Sequence, residues 1–224
     1  MVDESSPFFL IPRMNRVEYR DHWEQVFQTK DTRQVSWYQE VPIQSLTLIE
    51  RFCTPGASII EVGGGDSRLP DELLLRGYEN ITVLDISNTA LEVTRNRLGE
   101  RSNLVHWIVS NVLDLKVDRT FDVWHDRAVF HFLNTVEDQE VYKDRLVNHL
   151  TIDGMAIIGG FSANDGPFKC SGLEVARHDR SSMTDLFSPE FEIVESFEAV
   201  HTTPSGGSQN FQWTILRFGG LGDE

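Results

Sequence analysis

The chain has 224 residues, 40% of them hydrophobic and 25% charged, an ordinary soluble composition with enough length for one sizeable α/β core. It carries 20 basic and 35 acidic residues, a net charge of −15, with no Lys/Arg cluster; nucleic acid, whose phosphates such clusters neutralise, is not expected as a partner. No apolar run approaches the roughly 20 residues of a membrane span, and the start Met1-Val2-Asp3-Glu4-Ser5-Ser6 is too acidic and polar for a secretory or transit peptide, so a cytoplasmic location is expected.

In chain order, residues 1–15 read as a tail, because Pro7 and Pro12 interrupt any long helix. Glu18 to Gln28 reads as a helix, with Tyr19, Trp23, Val26 and Phe27 sharing one face. Ser36-Trp37-Tyr38-Gln39 combines apolar bodies with polar tips, as ligand-covering segments do. Pro42 opens a second helix, with Ile43, Leu46, Ile49 and Phe52 on its apolar face, and Pro55-Gly56 ends it. Ser58–Val62 is an apolar strand suited to the middle of a parallel sheet.

That strand runs into the stretch around which the chain is organised, Glu61-Val62-Gly63-Gly64-Gly65-Asp66-Ser67. Glycines permit a sharp turn and close approach of a ligand to the backbone. Arg68 stands where a dinucleotide fingerprint requires its third glycine, so G-x-G-x-x-G is broken. The pattern that remains, acidic-x-Gly-x-Gly, resembles the first motif of class I S-adenosylmethionine (SAM) dependent methyltransferases. The resemblance implies that Glu61 works at the methionine ammonium and that Gly63, Gly64 and Gly65 let the cofactor approach.

Ser67 to Arg76 reads as a helix ended by Gly77, and Ile81–Leu84 as a strand ending in Asp85. Asp85 follows Gly65 by twenty residues, the spacing at which an acidic side chain meets ribose hydroxyls in nucleotide-binding βαβ units. Leu84-Asp85-Ile86-Ser87 is similar to the family's second motif. Asn88 to Leu98 is the next helix and Leu104–Val109 the third strand. Family members carry Asp where Asn111 stands. The resemblance assigns Asn111 to the adenine amino group, and Ile86 and Val112 to the faces of the ring.

Phe121–Trp124 is the fourth strand and leads into His125-Asp126-Arg127-Ala128-Val129-Phe130-His131, dense in titratable groups. In open α/β sheets the ligand crevice lies beyond the carboxyl ends of the strands. Asp126, Arg127 and His131 are therefore the candidate catalytic residues, with His125 a second candidate base and Asp126 also a candidate cofactor contact. This stretch resembles the Trp-Asp-Arg-Gly-Ala-Leu of thiopurine S-methyltransferases, with one residue inserted, and the Asp-Lys-Gly-Thr-Leu of methyltransferase-like protein-lysine enzymes. The segments His22-Trp23-Glu24 and Ser36–Gln39 are similar to the N-terminal helix and lid of both groups, which adds Trp37 to the cofactor contacts. The whole pattern from His22 onward looks most like small uncharacterised bacterial methyltransferases.

Val136 to Leu150 is a helix, Asp153-Gly154 a turn, Met155–Gly160 a fifth strand, and Phe161–Leu173 a loop beside the acceptor. A short helix, Ser182–Phe187, precedes two β-rich runs, Phe191–Thr203 and Gln209–Phe218, joined by Pro204-Ser205-Gly206-Gly207. Cys53 and Cys170 form neither a CxxC pair nor a zinc spacing; they read as reduced thiols, and no metal is expected.

The expected fold is α/β: a Rossmann-like seven-stranded, mostly parallel sheet with a C-terminal antiparallel hairpin and helices on both faces. Residues 16–224 form one class I methyltransferase domain, with 16–55 as lid helices and 56–224 as the core. The expected function is methyl transfer from SAM to sulfur, nitrogen or oxygen of a small molecule. Protein-lysine methylation is the alternative, and a NAD(P)-dependent oxidoreductase is less favoured. A monomer or weak dimer is expected.

Overall fold

The computed structural model describes residues 14–220. The tail expected over 1–15 therefore falls almost wholly outside the described residues. Helix α1 (Arg16–Thr29) begins at a capping box, in which the Asn15 side chain accepts from Val17 and Glu18 N–H and Glu18 accepts from the Asn15 N–H. Then follow α2 (Ile43–Phe52), β1 (Ser58–Val62), α3 (Leu69–Leu75), β2 (Asn80–Asp85), α4 (Asn88–Leu98), β3 (Val105–Val109), β4 (Phe121–Arg127), α5 (Val136–His149), β5 (Leu150–Phe161), β6 (Lys169–Cys170), β7 (Leu173–Glu174), α6 (Arg180–Phe187), β8 (Phe191–Thr202) and β9 (Ser208–Phe218).

Seven strands form one sheet in the order β3-β2-β1-β4-β5-β9-β8. Strands β1 to β5 pair in parallel, whereas β9 runs antiparallel to both β5 and β8, so the terminal hairpin closes the sheet edge as expected. The order reverses between β1 and β4, which creates the switch point where α/β sheets bind ligands.

Side chains that alternate along each strand sort into two cores. Ile59, Ile81, Val83, Val123 and Ile157 pack with Leu46 and Ile49 of α2, Leu73 of α3 and Leu91 of α4. Ile60, Val62, Leu84, Trp124 and Ile158 face the other way, onto Tyr142 and Leu146 of α5 and Phe187 of α6. Both faces are thus covered, which is why the central strands read as continuous apolar runs.

Four local expectations need correction. Helix α3 starts at Leu69 rather than Ser67; Ser67 instead uses its hydroxyl to accept from the Leu69 N–H at 3.0 Å. β4 continues through Arg127, because His125, Asp126 and Arg127 stay in register with Ile157, Ile158 and Gly159 of β5. β5 begins at Leu150 and passes through Asp153-Gly154, where the expected turn becomes a register irregularity with Asp153 at φ +61°. The loop after β5 contains the small hairpin β6–β7, turned by Ser171 and Gly172, both with positive φ.

Candidate active site

A cavity of about 490 Å³ opens at the carboxyl ends of the parallel strands. That volume is within the range of small-molecule and cofactor sites. Its floor is the β1–α3 turn. Gly63 and Gly65 have φ of +66° and +40°, and a methyl group on Gly63 would lie 2.0 Å from Val129 Cγ2. The Gly63 and Gly64 N–H groups both donate to the Leu84 carbonyl, at 2.7 and 3.1 Å, which ties the turn to the end of β2.

Two residues that the motifs do not mark brace this turn from α4. Thr94 donates its hydroxyl to the Gly65 carbonyl at 2.9 Å. Arg97 donates to the carbonyls of Asp66 and Ser67 and pairs with Asp71 at 2.8 Å. In the sequence these look like an ordinary helical Thr and a basic residue suited to a helix C-terminus. Only the packing of α4 beside the turn distinguishes them.

Glu61 lines the cavity and is 4% exposed. Burial pushes its carboxyl up from 4.5 to about 8, against the opposing pull of the Ser67 hydroxyl and Arg97. Its Oε2 is buried without a hydrogen-bond partner. A buried acceptor in that condition costs on the order of 1–3 kcal/mol, so the site is built for a donor that the protein does not itself supply. Asp85 is similarly placed: burial raises it to about 7 while Oδ1 accepts from the Ser87 N–H at 2.8 Å. Asp66, also against the cavity, is raised by burial too.

This end of the cavity therefore gathers three carboxyl groups, Glu61, Asp66 and Asp85, while its arginine, Arg68, is paired with Glu40. An ammonium and a sulfonium, with ribose hydroxyls to donate, suit that chemistry. Ile86, Val112 and Leu113 form an apolar stretch of the lining beside Asn111. The Asn111 Oδ1 already accepts from the Leu113 N–H at 2.9 Å, which leaves one lone pair for a further donor.

The roof comes from the N-terminal region. Trp23 meets Trp37 and Phe132 edge to face, Phe27 meets Trp37 likewise, and Trp23 lies tilted against Phe27, with ring centroids 5.2–6.3 Å apart. Helix α1 is held down by Glu24, whose carboxylate accepts from Asn88 N–H at 2.7 Å and Thr89 N–H at 3.3 Å at the start of α4.

The structure gathers Trp37, Glu61, Gly63, Gly64, Gly65, Asp85, Ile86, Asn111, Val112, His125 and Arg127 around this one cavity. Three predicted site residues stand apart from it. Ser87 is buried as the N-cap of α4, its hydroxyl accepting from the Ala90 N–H at 3.1 Å. Asp126 points to the opposite face of β4, where its carboxylate accepts from the Tyr142 hydroxyl at 2.7 Å and from the Val129 and Phe130 N–H groups. His131 lies by a separate void of about 10 Å³ beside His178, Gly160 and Thr214. The reason is the period of two: once β4 extends through Arg127, His125 and Arg127 share the cavity face and Asp126 cannot.

Ala128, immediately after β4, has φ +74° and donates its N–H to the Gly159 carbonyl at 2.7 Å. The resembling motifs carry glycine at this position, which this backbone conformation favours.

Replacing Asp85 with Asn should weaken SAM binding at least tenfold by titration calorimetry. Hydrogen bonds to a charged group are worth about 1.5–3 kcal/mol, and the amide provides only one accepting oxygen. Unchanged affinity would place the ribose elsewhere.

Comparison with known proteins agrees with this fold. Among solved structures, a SAM-dependent methyltransferase from Anabaena variabilis superposes with a TM-score of 0.71 at 18% identity, covering 92% of this chain and 96% of that one. The 1,6-didemethyltoxoflavin-N1-methyltransferase of Burkholderia thailandensis, solved with S-adenosylhomocysteine bound, gives 0.70 at 20% identity and 92% of both chains. In sequence, the mouse eEF1A lysine and N-terminal methyltransferase is 25% identical over 179 residues, 80% of this chain but 24% of its own length. The chain thus spans about a quarter of that relative. A malonyl-[acyl-carrier protein] O-methyltransferase from Ilyobacter polytropus is 28% identical over 156 residues, 69% of this chain and 53% of its own.

The fold is the one that these SAM-dependent methyltransferase structures share, and the chemistry of the cavity beside the glycine turn suits SAM. More particularly, residues 60–156, from β1 into β5, match the family model described as a methyltransferase domain.

Proposed function

We propose that the chain transfers the methyl group of SAM to a small-molecule acceptor. Glu61 holds the ammonium, Asp85 the ribose, and Ile86, Asn111 and Val112 the adenine. Bound there, SAM supplies a methyl carbon activated by a sulfonium leaving group. The chain's own share of the chemistry is alignment and exclusion of water, through the aromatic roof of Trp23, Phe27 and Trp37 over the cavity.

The observation that carries the small-molecule reading is the position of Asp126. A lysine methyltransferase of this pattern would use it near the amine, yet here it is enclosed between Tyr142 and the backbone behind β4. Protein-lysine methylation remains the second reading because curated relatives, including the mouse enzyme above, bear that activity in their names. A screen with labelled SAM against thiols, amines, phenols and recombinant eEF1A decides between them. Label in small acceptors supports the first reading, and label in the protein alone overturns it.

A histidine that titrates near neutrality is not expected in the site, and a ring of low basicity is a weak base. Burial first, then the Arg127 charge, lowers both His125 and His131 to about 3. Each is already neutral throughout the physiological range. At saturating SAM, kcat should show no acid limb between pH 5 and 8; a limb near 6.5 would mean that a histidine in the site titrates at its ordinary value and acts as a base.

A further inference from the structure

Arg127 is anomalous in a chain of net charge −15. It lines the acceptor side of the cavity, at the end of β4, with His125, Ala128 and Cys170. Its Nη1 donates to the Trp37 carbonyl at 3.0 Å, and its guanidinium carbon lies 4.8 Å from the Phe211 ring centroid. Its Nη2 is buried with no hydrogen-bond partner. Among the described residues it forms no ion pair, although Arg97 and Arg76 each find carboxylates. The nearby rings of His125 and His201 cannot supply negative charge.

A guanidinium nitrogen withdrawn from water with neither a hydrogen-bond partner nor a counter-ion is costly, and a fold keeps one only where something compensates it. The acidic residues of the cavity cluster around the glycine turn, where they suit the cationic end of the cofactor. Of the three arginines in the lining, Arg16 pairs with Asp114 and Arg68 with Glu40, whereas Arg127, at the other functional end, has no carboxylate partner among the described residues. Such a planar fork is shaped to take two oxygens of one oxyanion. A lysine ammonium entering the same space would meet a like charge.

Resting on the small-molecule reading above, we infer that the methyl acceptor carries an oxyanion, a carboxylate or its equivalent, which pairs with Arg127. The guanidinium thus anchors the acceptor and selects for it; it does not take part in bond making. Phe211 beneath the guanidinium and the Trp37 carbonyl beside it hold the fork in place, so the anion is received by a preset donor.

The test uses the protein loaded with S-adenosylhomocysteine and pairs of aromatic probes that differ only in the acid group: thiosalicylic acid against thiosalicylamide, and anthranilic acid against anthranilamide. Calorimetry should show each acid binding at least tenfold more tightly than its amide. The preference should fall to within threefold in Arg127→Gln and be partly retained in Arg127→Lys, which keeps the charge but not the fork. With labelled SAM, label should enter acids ahead of amides in the same order. Amides that bind as well as acids, acids that do not bind, or a preference that persists in Arg127→Gln would each overturn the inference. SAM affinity of the wild-type protein, measured in parallel, tests the methyltransferase reading itself: if SAM fails to bind, that reading falls, whatever the acids do.

Discussion

Glu61→Gln is expected to lose SAM binding by about a hundredfold or more while making the ligand-free protein more stable at alkaline pH. Both effects come from one buried carboxylate. Without ligand, Glu61 has its pKa raised from 4.5 to about 8, chiefly by burial. Between those two values the folded chain keeps a proton that the unfolded chain has released. Stability therefore falls as pH rises through that window, and the full loss is present above about 8. Glutamine carries no such titration. At pH 9 the variant should melt at least about 3 °C above the wild type, the shift that roughly 1 kcal/mol gives in a chain of this size, whereas at pH 4 the two should converge.

Ligand binding reverses the preference. An ammonium against Glu61 favours its ionised form, so wild-type protein should release more protons on binding SAM at pH 7 than the variant does. Calorimetry in buffers of different ionisation enthalpy reads that difference directly. A variant that binds SAM normally would remove Glu61 from the site; one no more stable than wild type at pH 9 would mean that the carboxylate is better solvated than its surroundings indicate.

The second large effect is expected at Gly63. Its φ of +66° costs a non-glycine residue about 1 kcal/mol or more. The added methyl would also stand 2.0 Å from Val129 Cγ2, far inside contact distance. Gly63→Ala must then push apart the turn and the segment after β4, both of which line the cavity. We expect SAM affinity to fall more than tenfold and melting to drop by several degrees. The collision and the backbone strain are separable. Adding Val129→Ala removes the offending methyl and should recover most of the melting loss, leaving the strain alone. No recovery in the double variant would show that the turn, rather than its packing against Val129, is what the methyl disrupts.

Much of the fold was legible in the sequence because it rests on local signals. Apolar runs bounded by glycine and charged residues marked β1, β2 and β4, while Gly77 and Gly99 closed their helices. The acidic-x-Gly-x-Gly stretch and the interval to Asp85 marked residues that line the acidic end of the cavity, since a turn that brings backbone against a ligand needs glycine at particular positions. Those features are encoded within a few residues of one another. Ends of elements were less legible. Ser67 read as the start of a helix, yet it accepts from the Leu69 N–H from outside the helix while Arg97, thirty residues on, holds the turn's carbonyls.

The residues of the acceptor end were decided by register. In the sequence His125, Asp126, Arg127 and His131 formed one cluster of titratable groups. Pairing with β5 carried the strand two residues past His125, and alternation then placed Asp126 behind the sheet with Tyr142 and left Arg127 facing the cavity. His131, beyond the strand, went to a different void altogether. Composition and motif by themselves determined an α/β sheet with a glycine turn at the end of β1. Which charges face that space, and that Arg127 does so without a partner, depended on long-range strand pairing, because a shift of one residue exchanges the two faces of a sheet.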